Sequence, residues 1–416
     1  MNEFSYLFLV FLIASMLLKI WLNRRQIAHI TKHRGEVPVD FKGKIDLKAH
    51  QKAADYTVEK TRLSTVSTII ASVLLILLTL GGLINVLTLQ SQNWISHPLW
   101  SGVVMILCVF ILSHLIELPV QLYQTFKVEQ QYGFNRTSLG QFIKDQCLQL
   151  GLMLVIGLPL LYALVWIMGA MGDYWWLYAW LLTIGFTFFM TWLLPTVIAP
   201  LFNTFTPLED EQLKQRIQQL LERCGFNSKG VYVMDGSRRS GHGNAYFTGV
   251  GKNKRIVFYD TLLNSLNADE IEAVLAHELG HFKCKHINKQ MLVSSLVTLL
   301  GFALLGWLNQ QPWFFDGLGI LQINNAAALL LFIIVTPIFT TFLQPLGSHL
   351  QRKFEFEADA FASTMTKPGF LIQALVKLYR DNASTLTPDP IYSGFHHSHP
   401  PAGVRINHLK TLDSST

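Results

Sequence analysis

Charged residues are scarce in this sequence. Asp, Glu, Lys and Arg make up only 14% of its 416 residues, and half of the residues are apolar, whereas soluble globular proteins carry about 25% charged residues. The composition therefore excludes an ordinary soluble protein and favours a membrane protein. The net charge of +6 is what basic loops on one side of a membrane would give, so it does not indicate nucleic-acid binding.

Cysteine is scarce as well, and so are repeats. The chain has four cysteines with no paired spacing, Cys108, Cys147, Cys224 and Cys284, so no disulfide framework is expected. No internal repeat is visible, which gives no sign of a solenoid or of an inverted-repeat transporter.

The first apolar segment is interpreted as a retained anchor. Glu3 lies where a signal peptide has basic residues, which does not favour a cleaved signal peptide.

Long apolar segments are abundant. About 20 apolar residues at 1.5 Å per residue form a helix that crosses a hydrocarbon core about 30 Å thick. Seven segments of this kind predict seven transmembrane helices. They lie at residues 4–22, 64–87, 98–118, 149–168, 174–198, 292–308 and 323–346.

The distribution of lysine and arginine predicts the orientation. Residues 88–97, 169–173 and 309–325 contain neither, whereas the loop at 23–63 and the loop after the third span are basic. Positive loops stay on the cytoplasmic side. We therefore expect the N-terminus outside and the C-terminus in the cytoplasm, in the inner (plasma) membrane if the source is a bacterium.

The chain is predicted to fall into four parts. Residues 1–202 form a membrane domain with five spans and the cytoplasmic loop 23–63, and residues 291–347 form a hairpin of spans six and seven. The polar segments 203–290 and 348–416 flank that hairpin. Because both lie on the same side of the membrane, we expect them to meet and build one catalytic domain.

The first polar segment has a mixed pattern. Apolar residues with a period near 3.6 predict a helix at 213–224, and β-branched and aromatic runs predict strands at 231–234, 244–248 and 255–259. Gly249 and Gly251 are expected in a hairpin turn. Asn267 followed by Glu270 predicts a capping box at the start of another helix.

That second helix carries the pattern of a metal site. His277, Glu278 and His281 form the motif H-E-x-x-H, so the two imidazoles project from one helix face and can bind one Zn²⁺, the predicted cofactor. Glu278 lies on the neighbouring face, where it can act as the general base without binding the metal. The alternative is a helix with two solvated histidines. Gly280 counts against it, since glycine inside a helix costs about 1 kcal/mol unless close packing or a ligand needs the space.

A third ligand is expected from the second polar segment. A catalytic zinc site has three protein ligands and one open position. Glu355 and Asp359 are four residues apart on a predicted helix, so one can bind the metal while the other orients a histidine. Glu357 is expected to point the other way. The spacing does not decide between Glu355 and Asp359, and a solvated acidic face is the alternative.

The chain resembles the CAAX prenyl protease 1 family, seven-span zinc endopeptidases that cleave the C-terminal tripeptide from prenylated proteins. Besides the H-E-x-x-H helix, the resemblance rests on the order of segments 132–135 (YGFN), 198–203 (IAPLFN), 244–247 (NAYF), 355–359 (EFEAD) and 399–401 (HPP). It extends over nearly the whole chain. It implies a mainly α fold, a polytopic membrane protein whose roughly seven helices enclose a chamber, capped by a cytoplasmic zincin-like catalytic domain with a small β-sheet.

The resemblance also implies roles for site residues. Glu355 would be the third zinc ligand and Asp359 a supporting or proton-handling partner. His399 and Arg405 would line the substrate cleft, and His399 is suited to hydrogen-bond the oxyanion of a tetrahedral intermediate. The alternative for His399 is an ordinary turn histidine before two prolines.

Substrate is expected along a strand edge and near the membrane. The resemblance implies that Asn244 and Ala245 present an edge to a peptide or protein substrate, with or without a prenyl group, which would add as a β-strand. His114 and Glu117 in the third span are costly in hydrocarbon and are expected to line the chamber, unless Glu117 lies at the membrane interface. No role is assigned to three further histidines, His286, His396 and His397.

Three alternatives to the processing of prenylated proteins remain open from the sequence. The C-terminus lacks a lysine-based retrieval signal, which favours a bacterial source and a substrate such as damaged membrane proteins. A heat-shock-type membrane protease with fewer spans is the alternative within the same class. A transporter or receptor with a structural zinc site is the alternative from another class, but such sites are usually closed by a fourth ligand.

Overall fold

The computed structural model describes residues 1–226, 230–248 and 255–413. Three π-helical turns, Gln124–Glu129, Met153–Gly157 and Leu194–Ile198, extend or join neighbouring helices. In chain order the helices are α1 Glu3–His33, α2 Leu47–Leu78, α3 Leu83–Trp94, α4 Pro98–Tyr123, α5 Leu139–Leu152, α6 Leu158–Ala170, α7 Trp175–Leu193, α8 Ala199–Phe202, α9 Glu211–Arg223, α10 Asp260–Leu263, α11 Ala268–Lys283, α12 His286–Leu308, α13 Pro312–Gly317, α14 Asn325–Thr340, α15 Gln344–Met365, α16 Pro368–Asp381, α17 Pro390–His396 and α18 Ala402–Asp413.

The predicted number of membrane spans is confirmed. Within the described ranges, seven helical segments are long and apolar enough to cross a membrane, and each overlaps one predicted span. The predicted end of the second span is wrong, because α2 ends at Leu78 and α3 begins at Leu83. Gly82 between them has φ +76°, a left-handed conformation that glycine adopts readily and that interrupts the helix.

The spans are packed sparsely. In the most apolar stretch of the fifth span, Gly172–Phe202, no residue is buried, whereas half of the corresponding stretch of Asn325–Met365 is buried. Such exposure is expected of helices that face lipid or that surround open space. A cavity of about 380 Å³ between α1, α2, α4 and α14 is lined by Lys19 and Glu117, and Ser67 donates a hydrogen bond to Glu117 at 2.8 Å.

The described strands form one four-stranded mixed sheet. They are β1 Phe205–Pro207, β2 Val231–Met234, β3 Ala245–Thr248 and β4 Arg255–Tyr259, in the order β1-β2-β4-β3. β2 and β4 are parallel and have the predicted bounds, while β3 pairs antiparallel with β4 and starts one residue later than predicted. β3 is therefore an edge strand. The predicted hairpin turn at Gly249 and Gly251 lies outside the described residues.

The described residues form two large apolar cores and one small apolar cluster around Tyr56 and Phe134. The first large core joins the membrane helices, and the second joins the sheet to α9, α11, α16 and α18. Val37 and Phe41, from the loop between α1 and α2, are buried in the second core. The loop between α1 and α2 thus packs in the same core as the helix that carries the metal-binding motif, which ties that helix to the first two spans.

Candidate metal centre

The helix with the H-E-x-x-H motif, α11, begins with the predicted capping box. The Asn267 side chain accepts a hydrogen bond from Glu270 N at 2.9 Å, and Glu270 Oε2 accepts one from Asn267 N at 2.9 Å. Ile271, Leu275 and Leu279 are buried on one side of the helix. This burial fixes the rotation of α11 about its axis and so the direction of the histidines.

A close helix contact brings the third candidate ligand to the histidines. α11 packs against α15 so tightly at Gly280 that a Cβ there would lie 2.9 Å from Ala358 Cα. Any larger residue would push the helices apart. The contact explains why glycine stands inside this helix, and it places Glu355, about one turn before Ala358, beside His277 and His281.

His277, His281 and Glu355 form one compact cluster. His277 Nε2 and His281 Nε2 are 3.3 Å apart, and each lies within 3.5 Å of a Glu355 oxygen. The arrangement answers the question that spacing left open, because Asp359 does not join this cluster of ligand atoms.

The donor set fits a zinc ion. Two nitrogens bound at about 2.0–2.1 Å to a tetrahedral zinc are about 3.3 Å apart, which is the separation of the two imidazole nitrogens here. Glu355 Oε2 is buried, and nitrogens of His277, Arg405 and His399 lie within 3.5 Å of it, but none of them makes a well-aligned hydrogen bond to it. Two imidazole nitrogens and a buried carboxylate oxygen that converge in this way need positive charge between them, which a metal ion supplies and which protons on the histidines supply in its absence.

Asp359 holds His277 from behind. His277 Nδ1 lies 2.9 Å from Asp359 Oδ1, so Nδ1–H donates to the carboxylate and Nε2 keeps its lone pair for a metal. Asp359 is fully buried. Burial and Arg405 lower the pKa of His277, but the hydrogen bonds to Asp359 and Glu355 outweigh them and raise that pKa to about 9.

Arg405 neutralises the buried carboxylates. Its guanidinium donates to both Asp359 oxygens, at 2.9 and 2.5 Å, and Nη1 lies 3.5 Å from Glu355 Oε2. Arg405 is only 7% exposed. This geometry favours a role in orienting Asp359 and Glu355, and the predicted contact of Arg405 with substrate stays a prediction.

Glu278 and His399 are more open. Glu278 is half-buried and has no hydrogen-bond or ion-pair partner among the described residues. His399 is about two-thirds exposed, and its Nδ1 lies 2.8 Å from Glu355 Oε2. Both predicted catalytic side chains therefore lie beside the cluster with a face free for another molecule.

Two donors on α15 fix the loop that carries His399. Arg352 Nη1 donates to the carbonyl oxygens of Ser393, Gly394 and His397, all within 3.2 Å. Ser348 donates to Phe395 O at 2.9 Å. Because Glu355 lies on the same helix, these bonds set the position of the His399 loop relative to the metal ligands.

A large cavity extends from His399 to α1 and α2. It has a volume of about 930 Å³, and His399 and Asn244 line it together with Tyr56 and Lys60 of α2. Asn244 O accepts a hydrogen bond from Tyr259 N. Asn244 thus lies at the wall of this cavity, directly before Ala245, where the edge strand β3 begins.

The chain matches one family throughout its length. A model described as CAAX prenyl protease N-terminal, five membrane helices, matches residues 26–204, and a model of peptidase family M48 matches residues 207–413. The CAAX prenyl protease 1 homolog of Arabidopsis thaliana is 36% identical over 341 residues, which cover 81% of this chain and 78% of the relative. The CAAX prenyl protease 1 homolog of Homo sapiens is 33% identical over 94% of this chain and 91% of the relative.

The chain belongs to the CAAX prenyl protease 1 family. A crystal structure of S. mikatae Ste24p superposes with a TM-score of 0.90 at 30% identity, and it covers 98% of this chain and 99% of that chain. The protein is therefore an M48 metallopeptidase and a multi-pass membrane protein, and its His-His-Glu site implies zinc. The relatives named here are eukaryotic, so they do not support the predicted bacterial source.

Sequence reasoning missed several residues that the CAAX prenyl protease fold brings to the site. His286, left without a role, is buried against His281. Glu357, expected to point away, lies 2.8 Å from His286 Nε2. The sequence motifs assign no role to Arg352. Its position three residues before Glu355 was the available signal, because that spacing puts both on neighbouring faces of one helix.

Proposed function

We propose that this zinc metallopeptidase removes the C-terminal tripeptide from prenylated proteins. The observation that carries the proposal is the cavity of about 930 Å³ that extends from His399, at the metal-ligand cluster, to Gln26 of α1 and to residues 56–64 of α2, two of the membrane-spanning helices. A prenylated chain end is a peptide with an apolar anchor. Such a substrate would keep its lipid among the spans while its peptide reaches the polar site.

The residues of the cluster would divide the work of peptide hydrolysis. His277, His281 and Glu355 would hold one Zn²⁺ per chain, which supplies Lewis acidity that polarises a carbonyl and lowers the pKa of water. Glu278, which has no described partner, is free to take a proton from water and to pass it to the leaving amine. His399 can donate a hydrogen bond to the developing oxyanion.

The peptide would bind as an added strand. β3 is an edge strand of the sheet, so its outer hydrogen-bonding groups can pair with an extended peptide. Asn244 lines the cavity, and Ala245 after it is the first residue of this edge. Main-chain hydrogen bonds there would bind peptides of many sequences. Substrate specificity would then come from the lipid group and from the C-terminus of the substrate.

The orientation and the division of the chain form part of the proposal. The basic loops favour an outside N-terminus and a cytoplasmic catalytic domain built from residues 203–290 and 348–416. Residues 1–202 and 291–347 would form the membrane domain. The seven spans do not favour a heat-shock-type protease, which has fewer, and nothing in the described structure favours transport.

The test compares wild type with Glu278→Gln, both purified in detergent, on a fluorogenic peptide with and without a farnesylated cysteine. We expect one zinc per chain in both proteins and a loss of cleavage in Glu278→Gln of about 10²–10⁴-fold. Asp269→Asn is the matched control, because Asp269 is a half-buried carboxylate in the first turn of the same helix, paired with Arg216 and away from the metal ligands, and this variant should cleave normally.

The outcomes separate the parts of the proposal. A preference for the farnesylated peptide supports prenyl-protein processing, and equal cleavage of both peptides contradicts recognition of the prenyl group. Wild-type cleavage by Glu278→Gln contradicts the assigned general base. Bound zinc without any cleavage contradicts the proposed activity.

A further inference from the structure

His286 lies behind the second histidine ligand. It is the first residue of α12, is 1% exposed, and its ring stacks on Phe354 with centroids 4.3 Å apart and planes at 13°. Its Nδ1 lies 3.0 Å from His281 Nδ1, and its Nε2 lies 2.8 Å from Glu357 Oε2. Both ring nitrogens of this buried imidazole are therefore used.

The chain turn between α11 and α12 makes this contact possible. Lys285 adopts φ +57° and ψ 34°, a left-handed conformation that is uncommon for residues other than glycine. It reverses the chain directly after α11, so that His286 folds back under His281. A regular helix would carry a residue five positions after His281 to another face.

Hydrogen bonding fixes which nitrogen carries each proton. The Glu357 carboxylate can only accept, so His286 donates from Nε2–H. In the neutral imidazole His286 Nδ1 is then an acceptor, and His281 donates to it from Nδ1–H. This leaves the lone pair of His281 on Nε2, the nitrogen that faces His277 and Glu355.

We propose that His286 and Glu357 position His281 for the metal, as Asp359 positions His277. His281 has no carboxylate at its Nδ1. Instead, His286 links it to Glu357 through two hydrogen bonds, which orient the His281 ring. His286 and Glu357 are positioning residues, and they do not touch substrate. The proposal rests on the zinc site of the proposed function, but it concerns how tightly that site binds metal.

One other arrangement of the same side chains must be separated from this one. Ligand atoms of Cys284, His286 and Glu357 lie within 4.8 Å of one another and could hold a metal ion themselves. Such an ion would displace the hydrogen bond between His286 and Glu357. It would also give the protein two metal sites.

The test measures zinc affinity of the full chain in detergent by competition with a chelator. His286→Phe keeps the ring stack and removes both ring nitrogens, and we expect it to bind zinc about 10–100-fold more weakly. Glu357→Ala should weaken binding about tenfold. Lys289→Ala is the matched control. Lys289 Nζ lies 3.6 Å from Glu357 but takes no part in this chain of hydrogen bonds, so the variant should bind zinc normally.

A pair of amide variants separates positioning from simple filling of space. His286→Asn can place an oxygen near the position of Nδ1 and accept from His281, whereas His286→Gln places its amide near the position of Nε2. We expect His286→Asn to bind zinc more tightly than His286→Gln. If His286→Phe does not fold, this pair and Glu357→Ala decide the question.

Three results would overturn the proposal. One is zinc affinity within twofold of wild type in folded His286→Phe and Glu357→Ala, and another is equal affinity of the two amide variants. The third is two zinc ions per wild-type chain with loss of one in Cys284→Ala, which would assign these residues to a second metal site. Zinc binding is measured without cleavage, so the result is independent of whether the protein cleaves prenylated peptides.

Discussion

The metal-ligand cluster has an inner side and an outer side. On the inner side, His277, Asp359 and Arg405 are nearly fully buried and bound to one another. On the outer side, His399 is two-thirds exposed and Glu278 is half-buried without a described partner. Loss of one member of a buried ion pair leaves an uncompensated charge, whereas an exposed side chain can be removed at little cost in stability. Inner changes should therefore affect folding and metal binding, and outer changes should affect only catalysis.

The largest effect is expected on the inner side. Asp359→Ala leaves the Arg405 guanidinium buried without its carboxylate, and we expect a loss of about 3–5 kcal/mol in the free energy of unfolding, together with weaker zinc binding. Thermal unfolding in detergent with and without a chelator measures both. Glu36→Ala, which breaks the exposed pair with Lys42, is the control and should unfold at the wild-type temperature. A stable Asp359→Ala would remove the distinction between the two sides.

The outer side should show the opposite behaviour. His399→Ala should lower kcat about 10²–10³-fold if His399 stabilises the oxyanion, with unfolding temperature and zinc content unchanged. Ser398→Ala alters the same loop and should retain activity. A variant of His399 that loses zinc as readily as Asp359→Ala would instead place His399 with the ligands.

The helix contact under the cluster serves both sides. Gly280→Ala would place a Cβ 2.9 Å from Ala358 Cα, and we expect it to cost about 1–3 kcal/mol of stability by overpacking and to shift Glu355 from the histidines. Gly347 lies in α15, and nothing is within 4 Å of a Cβ built on it, so Gly347→Ala should be neutral or stabilising. Equal behaviour of the two variants would mean that the helices can separate at no cost.

Local patterns predicted the ligand histidines, and tertiary contacts settled the rest. The i,i+4 spacing of His277 and His281 follows from helix geometry alone, and the capping box placed the start of α11. The choice of Glu355 over Asp359 depends on the register of α15 against α11, which the Gly280 contact sets. No period in either helix encodes that register.

The missed residues depend on the irregular backbone. His286 reaches His281 only because Lys285 turns the chain with a positive φ, a conformation that the sequence gives no reason to expect of lysine. Arg352 acts on a loop 41 to 45 residues away. The spans were predicted well because length and hydropathy decide them, and the one wrong boundary lies at the glycine pair Gly81 and Gly82, which a hydropathy window does not weigh.

The smallest expected effect is a pH dependence of zinc affinity, which arises from His277 on the inner side. The pKa of His277 is raised to about 9, because hydrogen bonds to Asp359 and Glu355 outweigh burial and Arg405. In the metal-free protein His277 is thus protonated at pH 7, and zinc must displace that proton. Apparent zinc affinity should rise about tenfold per pH unit between about 6.5 and 9.

The metal-free protein should respond to pH in the opposite direction. A raised pKa stabilises the folded state fully below the unfolded value of 6.5, and this contribution is lost as the pH rises through about 9. Chelator competition and thermal unfolding at a series of pH values measure the two trends. Asp359→Asn removes the carboxylate that stabilises protonated His277, so it should weaken the pH dependence of both zinc affinity and metal-free stability. His399→Ala on the outer side should leave both pH dependences unchanged. Zinc affinity that is independent of pH from 7 to 9 would contradict the raised pKa, because a neutral His277 has no proton for the metal to displace.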